Sequence, residues 1–269
     1  MKKRSTALHL NVVLVLFLAA TMALTTRQAA ADWTPADLDP TAVTAWYDGA
    51  DADTVLTNAS GFVTNWVDKS GQGGDLNQTE TISGVDVWPT CLAGGLNGRN
   101  VVDFQRQRLY SSWFSAPGNE AFALIVFNSD DAPPADDGLN GGNRLASINF
   151  EGDDRRCYTG YGTTYSEGKI GARFGSSTLV SSSSYAANDW LLYGYGRNTT
   201  QAEIWFDGTR DAYDDDITVN AADPQSTSLL MAIGGWSGGG MLDGQVAEIL
   251  VFSSMPSTPD RQLVEGYLA

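Results

Sequence analysis

From residue 41 almost to its end, this chain keeps repeating one local pattern. Short runs rich in β-branched and aromatic residues are cut off by Gly, Asn, Asp or Ser. The clearer runs are 41–47, 62–67, 100–105, 121–128, 144–150, 190–197, 202–206, 229–233 and 245–252. In the 121–128 run Phe122, Leu124 and Val126 fall on one face and Ala121, Ala123, Ile125 and Phe127 on the other. Both faces are apolar, so this strand is expected in the middle of a sheet and covered on both sides. Many short strands with Gly-rich turns predict an all-β, two-sheet antiparallel sandwich rather than an α/β fold. One helix is expected at the end, where Ser257 supplies a cap, Pro259 a first-turn proline, and Leu263, Val264, Tyr267 and Leu268 a helical spacing. It is expected to pack against a sheet edge or end.

Residues 1–31 read differently. Met1-Lys2-Lys3-Arg4, the apolar stretch 8–24 and Ala29-Ala30-Ala31 have the layout of a secretory signal peptide. The apolar stretch contains His9, Asn11 and Thr21, and it falls short of the roughly 20 apolar residues of a spanning helix. Cleavage before Asp32 is expected, leaving 32–269 as one sandwich domain, secreted or at the cell surface. No interior segment has the composition of a linker, and 130–138 reads as a solvated loop.

Charge and residue usage then remove whole function classes. The formal net charge is −16, and loss of residues 1–31 takes away Lys2, Lys3, Arg4 and Arg27 without an acid, leaving −20. Such a field repels phosphate backbones and anionic lipid surfaces, so neither nucleic acid nor membrane is an expected partner. The single histidine is His9, inside the segment expected to be removed. The mature chain then has no imidazole for a Ser-His-Asp arrangement, a zinc site or a proton shuttle near neutral pH. Cys91 and Cys157 stand in a compartment that permits disulfides, and a bridge between them is expected, two separate buried thiols being the alternative.

Several motifs, in order along the chain, carry a resemblance. They are Ala45-Trp46-Tyr47-Asp48-Gly49-Ala50-Asp51, Trp66-Val67-Asp68-Lys69-Ser70-Gly71-Gln72-Gly73, the stretch 95–104, Glu203-Ile204-Trp205-Phe206-Asp207-Gly208, and the closing stretches 242–252 and 264–269. The mature chain resembles the laminin G-like branch of the concanavalin A-like jelly rolls of secreted bacterial and phage structural proteins. The resemblance implies a lectin-like jelly roll that binds glycans, or an adhesion or assembly module of a cell surface or virion whose partner is another protein. Asp68-Lys69-Ser70-Gly71 and Phe206-Asp207-Gly208 also make sense as turn chemistry alone, Asp bonding nearby backbone and Gly taking positive φ.

Some relatives of that fold are glucanases, whose E-x-D-x-x-E strand puts two carboxylates on one sheet face. The near match here, Glu151-Gly152-Asp153-Asp154-Arg155-Arg156, has arginine where the second glutamate would stand. A guanidinium stays protonated and cannot be the general acid. The stretch reads instead as a charged turn, and the expectation is a non-catalytic protein, with glycosidase as the lesser alternative.

Two sets of residues are candidates for binding. Tyr158, Tyr161 and Tyr165 are interleaved with Gly and Thr just after Asp153, and Trp236 lies in a Gly-rich loop. Rings stack on sugar C–H patches while polar groups hold the hydroxyls, so these residues are expected to form one ligand-facing rim, packing under loops being the alternative. Calcium is the one cofactor considered, with Asp48, Asp51 and Asp53, or Asp214, Asp215 and Asp216, as hard oxygen ligands.

Overall fold

The structure is a computed structural model describing residues 33–72, 74–77, 88–105, 107–111, 120–130, 143–150, 153–159, 169–174, 177–198, 200–217, 229–234 and 242–269. The strands at 143–150 and 153–159 are described by their backbone. Pro35–Asp37 forms a 3-10 turn, and Leu38–Ala269 is one compact unit.

Within that unit the described residues make two antiparallel sheets and one helix. The first sheet contains β1 (Val43–Asp48), β5 (Thr90–Leu96), β6 (Arg99–Gln105), β8 (Ala121–Ser129), β13 (Trp190–Arg197), β14 (Ala202–Phe206), β15 (Thr209–Asp214) and β17 (Asp243–Phe252). Its order is β15-β14-β13-β8-β17-β6-β5, with β1 also pairing with β17. The second contains β2 (Val55–Thr57), β3 (Val63–Trp66), β4 (Leu76–Asn77), β7 (Leu109–Ser111), β9 (Asn143–Phe150), β10 (Asp153–Thr159), β11 (Ile170–Phe174), β12 (Ser177–Val180) and β16 (Leu229–Ile233). Its order is β12-β11-β10-β9-β16-β7-β4-β3-β2. The helix, α1, runs Thr258–Leu268 with Ser257 as its N-cap and a proline in its first turn.

One apolar cluster fills the space between the sheets. Tyr47, Val102, Phe104, Ile125, Phe127, Tyr193 and Ile249 from the first sheet meet Val63, Trp66, Leu76, Leu109, Met231 and Ile233 from the second. Alternation along each strand sends these side chains inward together, which makes the architecture a β-sandwich. The expected strands all form, within two residues at either end.

The strands that sequence did not single out are short, glycine-rich or polar. β15 is exposed or half-buried along its length, and β5 is a Gly-containing edge strand. The stretch read as a charged turn, 151–156, is corrected in its last four residues. Asp153–Arg156 belong to β10, where Asp153 pairs with Phe150 and Arg156 with Ser147 and Arg173.

The two-sided strand is also as expected. β8 pairs with β13 on one edge and with β17 on the other. Its inward residues join the core, while Phe122, Leu124 and Val126 are buried on the opposite face. What covers that face differs from the expectation of a helix at an edge or end: α1 lies across the outside of the first sheet. Its Arg261 guanidinium stacks on Trp205 of β14 at 3.6 Å, and its Tyr267 ring meets Trp46 of β1 edge-on at 6.4 Å. Packing on this face is tight at Gly196 of β13, where a Cβ would lie 2.5 Å from Phe122 Cδ2 and 2.6 Å from Sδ of Met255, in the segment before α1.

The expected disulfide is corrected. Cys91 is a free thiol on β5, packed against the core, and burial raises its pKa. Cys157 lies on β10 of the other sheet, between β9 and β11. β5 faces β2, at one end of the second sheet, and β10 stands six places away from β2. At about 4.8 Å per strand that is roughly 29 Å, far beyond the reach of about 7 Å between bridged Cα atoms.

A Gly196→Ala substitution tests the packing of the outer face. It is expected to lower unfolding free energy by about 1–3 kcal/mol through overpacking, read by urea denaturation. No loss of stability would mean that the outer layer is not closely packed.

Candidate functional site

A group of interacting polar side chains sits where β1, β17 and α1 meet. Asp68 anchors one side of it, because its Oδ1 accepts from Trp46 N and Ser70 N, each at 2.9 Å, and its Oδ2 from Ser70 Oγ at 2.7 Å. That turn delivers Lys69 to the cluster. Its ammonium lies 2.9 Å from Asp48 Oδ2, 2.7 Å from Asp51 Oδ2 and 4.4 Å from the Trp46 ring centroid. Burial disfavours the charged amine, but hydrogen bonds to Asp51 and Asp48 outweigh it and raise its pKa. The same bond to Lys69 is the main reason the Asp51 carboxyl sits below its ordinary value.

Glu248 is the buried member, 8% exposed. Its Oε1 accepts from Trp46 Nε1 at 2.7 Å, and the Tyr267 hydroxyl donates to the same carboxyl. Desolvation, then repulsion from Asp48, pushes its pKa up to about 7. Burial and the neighbouring carboxylates of Glu248 and Asp48 likewise drive the Tyr267 phenol up. A phenol this reluctant to ionise is a hydrogen-bond donor, not a nucleophile.

This cluster forms one wall of a two-part cleft. The polar part, about 350 Å³, is bounded by Asp48, Asn97, Arg99, Asn100, Glu248 and Tyr267. The second part, about 540 Å³, has Trp190, Leu192, Leu96 and Val126 for its apolar surface, and the exposed Asp207 and the buried Glu265 also line it. Leu96, Asn97, Val126 and Leu268 line both, so the two parts adjoin. Two hairpin turns build its sides: Asn97-Gly98 joins β5 to β6 and Asp207-Gly208 joins β14 to β15. Both residues of each pair have positive φ, between 47° and 79°. That is the pattern of a type I′ turn, which Asn-Gly and Asp-Gly favour. Asp207 Oδ1 also accepts from Leu192 N at 3.0 Å, fixing the turn against β13.

Of the residues expected to bind ligand, two fall within the described residues. Asp153 and Tyr158 are on β10 in the second sheet, while Tyr161, Tyr165 and Trp236 fall outside the described residues. Of the aspartates considered for calcium, Asp48 and Asp51 hold Lys69 between them. Asp53 N donates to Asp51 Oδ1, and Asp216 N to Asp214 Oδ1. Among the described residues no three His, Cys, Asp or Glu side chains gather as metal ligands. Nor is any described helix long and apolar enough to cross a membrane. The cleft was not found from sequence, although the turn motifs at 95–104 and 203–208 supply much of it.

Glu248 gives the site a pH signature. Its folded-state pKa of about 7 stands above the ordinary carboxyl value of 4.5, so the folded state holds an extra proton between those pH values. Stability from this group is therefore complete below about pH 4.5 and lost as pH rises through about 7. Glu248→Gln is expected to be more stable than the wild type above pH 7 by about 3 kcal/mol, the advantage vanishing toward pH 4.5. Denaturant melts at pH 4.5, 6 and 8 check this; a constant difference would refute it.

No family model matches the sequence, and a search of curated proteins finds no match. Solved structures do resemble it. A Trypanosoma rangeli sialidase in complex with the inhibitor DANA aligns with TM-score 0.54 and 14% identity over 90% of this chain, which spans 34% of that chain. Domain 4 of AbnA, a GH43 extracellular arabinanase from Geobacillus stearothermophilus solved with arabinotriose, aligns with TM-score 0.53 and 10% identity. That alignment covers 83% of this chain and 97% of the domain. The receptor binding domain of botulinum neurotoxin D gives TM-score 0.54 and 10% identity, over 84% of this chain and 53% of that one. At these identities what is shared is the fold, a β-sandwich.

Proposed function

We propose that this chain is an exported, non-catalytic carbohydrate-binding module of the concanavalin A-like type, acting outside the cell. The observation that carries the reading is the cleft beside α1. A half-buried Trp190 offers an indole ring for C–H stacking beside the apolar Leu192, and carboxylate and amide groups stand within the same concavity to accept and donate to hydroxyls. Its two parts, about 350 and 540 Å³, lie in the size range of ligand sites. The likeness to an arabinanase domain solved with arabinotriose supports the reading, since nearly all of that domain is covered. The export signature at residues 1–31 and the strongly acidic composition fit a protein working outside the cell.

A glycosidase is the second reading, and one observation favours it: Asp48 and Glu248 share a wall of the cleft, and Glu248 has the raised pKa of a general acid. Both carboxylates are already engaged, Asp48 by Lys69 and Ala50 N, Glu248 by Trp46 and Tyr267. That is why binding is preferred to hydrolysis.

Glycan-array titration of the wild type, Trp190→Ala and Trp190→Leu tests the proposal. Loss of the ring face is expected to weaken binding about tenfold or more in both variants. Unchanged binding by both would remove the cleft as the sugar site, and failure of the folded wild type to bind any glycan would favour a protein receptor. Incubation with laminarin, agar and carrageenan separates the second reading. No reducing ends are expected, whereas release that Glu248→Gln abolishes would make the protein a hydrolase.

A further inference from the structure

The charges around the cleft bear on which sugars it takes. Acidic side chains line both parts, Asp48 and Glu248 in the polar part and Asp207 and Glu265 in the other, and Glu248, its pKa pushed up to about 7, carries only part of a charge near neutral pH. Two nearby cations are already committed. Lys69 is held between Asp48 and Asp51, and Arg261 is paired with Glu265 while stacked on Trp205. Arg261 is also 6% exposed, too buried to meet a ligand anion.

Two groups then decide the balance. Asp207 has no ion-pair partner among the described residues; its one described bond is from a backbone N–H, which leaves its charge uncancelled at the rim. Arg99 is the opposing group. It lines the polar part from an exposed position, as Asp207 does the other part, so solvent and salt screen both charges. The whole chain adds a formal charge of −16 to the same sign of field.

Resting on the carbohydrate-binding reading above, we infer that the cleft selects glycans without anionic groups and rejects carboxylated and sulfated ones. The chemistry is directional. An ionised carboxylate only accepts hydrogen bonds, so it suits the hydroxyl donors of an uncharged sugar. A sugar carboxylate or sulfate brought to the same rim offers acceptors to acceptors and meets like charge. It also has to shed its hydration with a single screened guanidinium in return. An amino substituent reverses each of these effects, so an amino-bearing sugar is expected to bind at least as well as its neutral counterpart.

The test is affinity measured on matched oligosaccharides in neutral, amino-bearing, uronic-acid and sulfated forms, at low and high salt, with wild type and Asp207→Asn. Asparagine tolerates the positive φ of that turn and keeps an oxygen for Leu192 N. Neutral and amino forms are expected to bind about tenfold or more tightly than the acidic forms at low salt. The gap is expected to narrow with added salt and to narrow about threefold in Asp207→Asn. Acidic forms binding as tightly as neutral ones at low salt would overturn the inference and leave the carbohydrate reading standing. A gap that Asp207→Asn does not move would overturn the assignment of selectivity to the cleft. Absence of binding in every class, by folded protein, would remove both.

Discussion

A sheet whose central strands are apolar on both faces cannot be half of a simple sandwich with one face in water. β8 and β17 are such strands: Ile125 and Ile249 point into the core, while Leu124, Phe122, Leu250 and Phe252 point away from it. Each large aliphatic or aromatic side chain left in water would forfeit about 1.5–3 kcal/mol of burial. The outer face therefore needs a cover, and α1 with the segment before it supplies one. Glycine at 196 lets that cover come close, because any side chain there would collide with Phe122 and Met255.

The cleft follows from the limits of that cover. An eleven-residue helix is about 16 Å long and cannot span the sheet and also close its end. Near the end of α1 at Leu268, Asn97, Asp207 and Gly208 of the two hairpin turns line the cleft together with Trp190, Leu192 and Val126. The concavity is thus the place where the sheet's outer layer stops. Its aromatic and acidic groups belong to strands, hairpin turns and the helix, elements that the sandwich and its cover already require.

The ionic cluster beside it has a different logic. Asp48, Asp51 and Glu248 converge near the start of the cleft, and convergence of carboxylates requires positive charge or protons. Lys69 provides the charge, delivered by a turn that Asp68 holds through four hydrogen bonds. Protonation of Glu248 near neutral pH provides the rest. An internal ammonium thus stands between two of the aspartates that composition alone would assign to calcium.

Sequence alone determined the β-sandwich, because alternation and turn chemistry are local: two-residue periodicity in β8 and β17, Asp-Gly at 207–208, and a capped, proline-started helix at 258–268 are all readable within a dozen residues. It also exposed the double-sided burial of β8, though not the identity of what covers it. Polar edge strands such as β15 escaped notice because pairing with a neighbour, rather than their own pattern, makes them strands. Tertiary structure decided everything that depends on distance across the fold. It placed Cys91 and Cys157 in separate sheets, brought Trp46, Glu248 and Tyr267 together from positions up to 221 residues apart, and set Trp190 beside Asn97 and Asp207. Such contacts depend on strand order and on where a helix happens to end, and neither leaves a periodic trace along the chain.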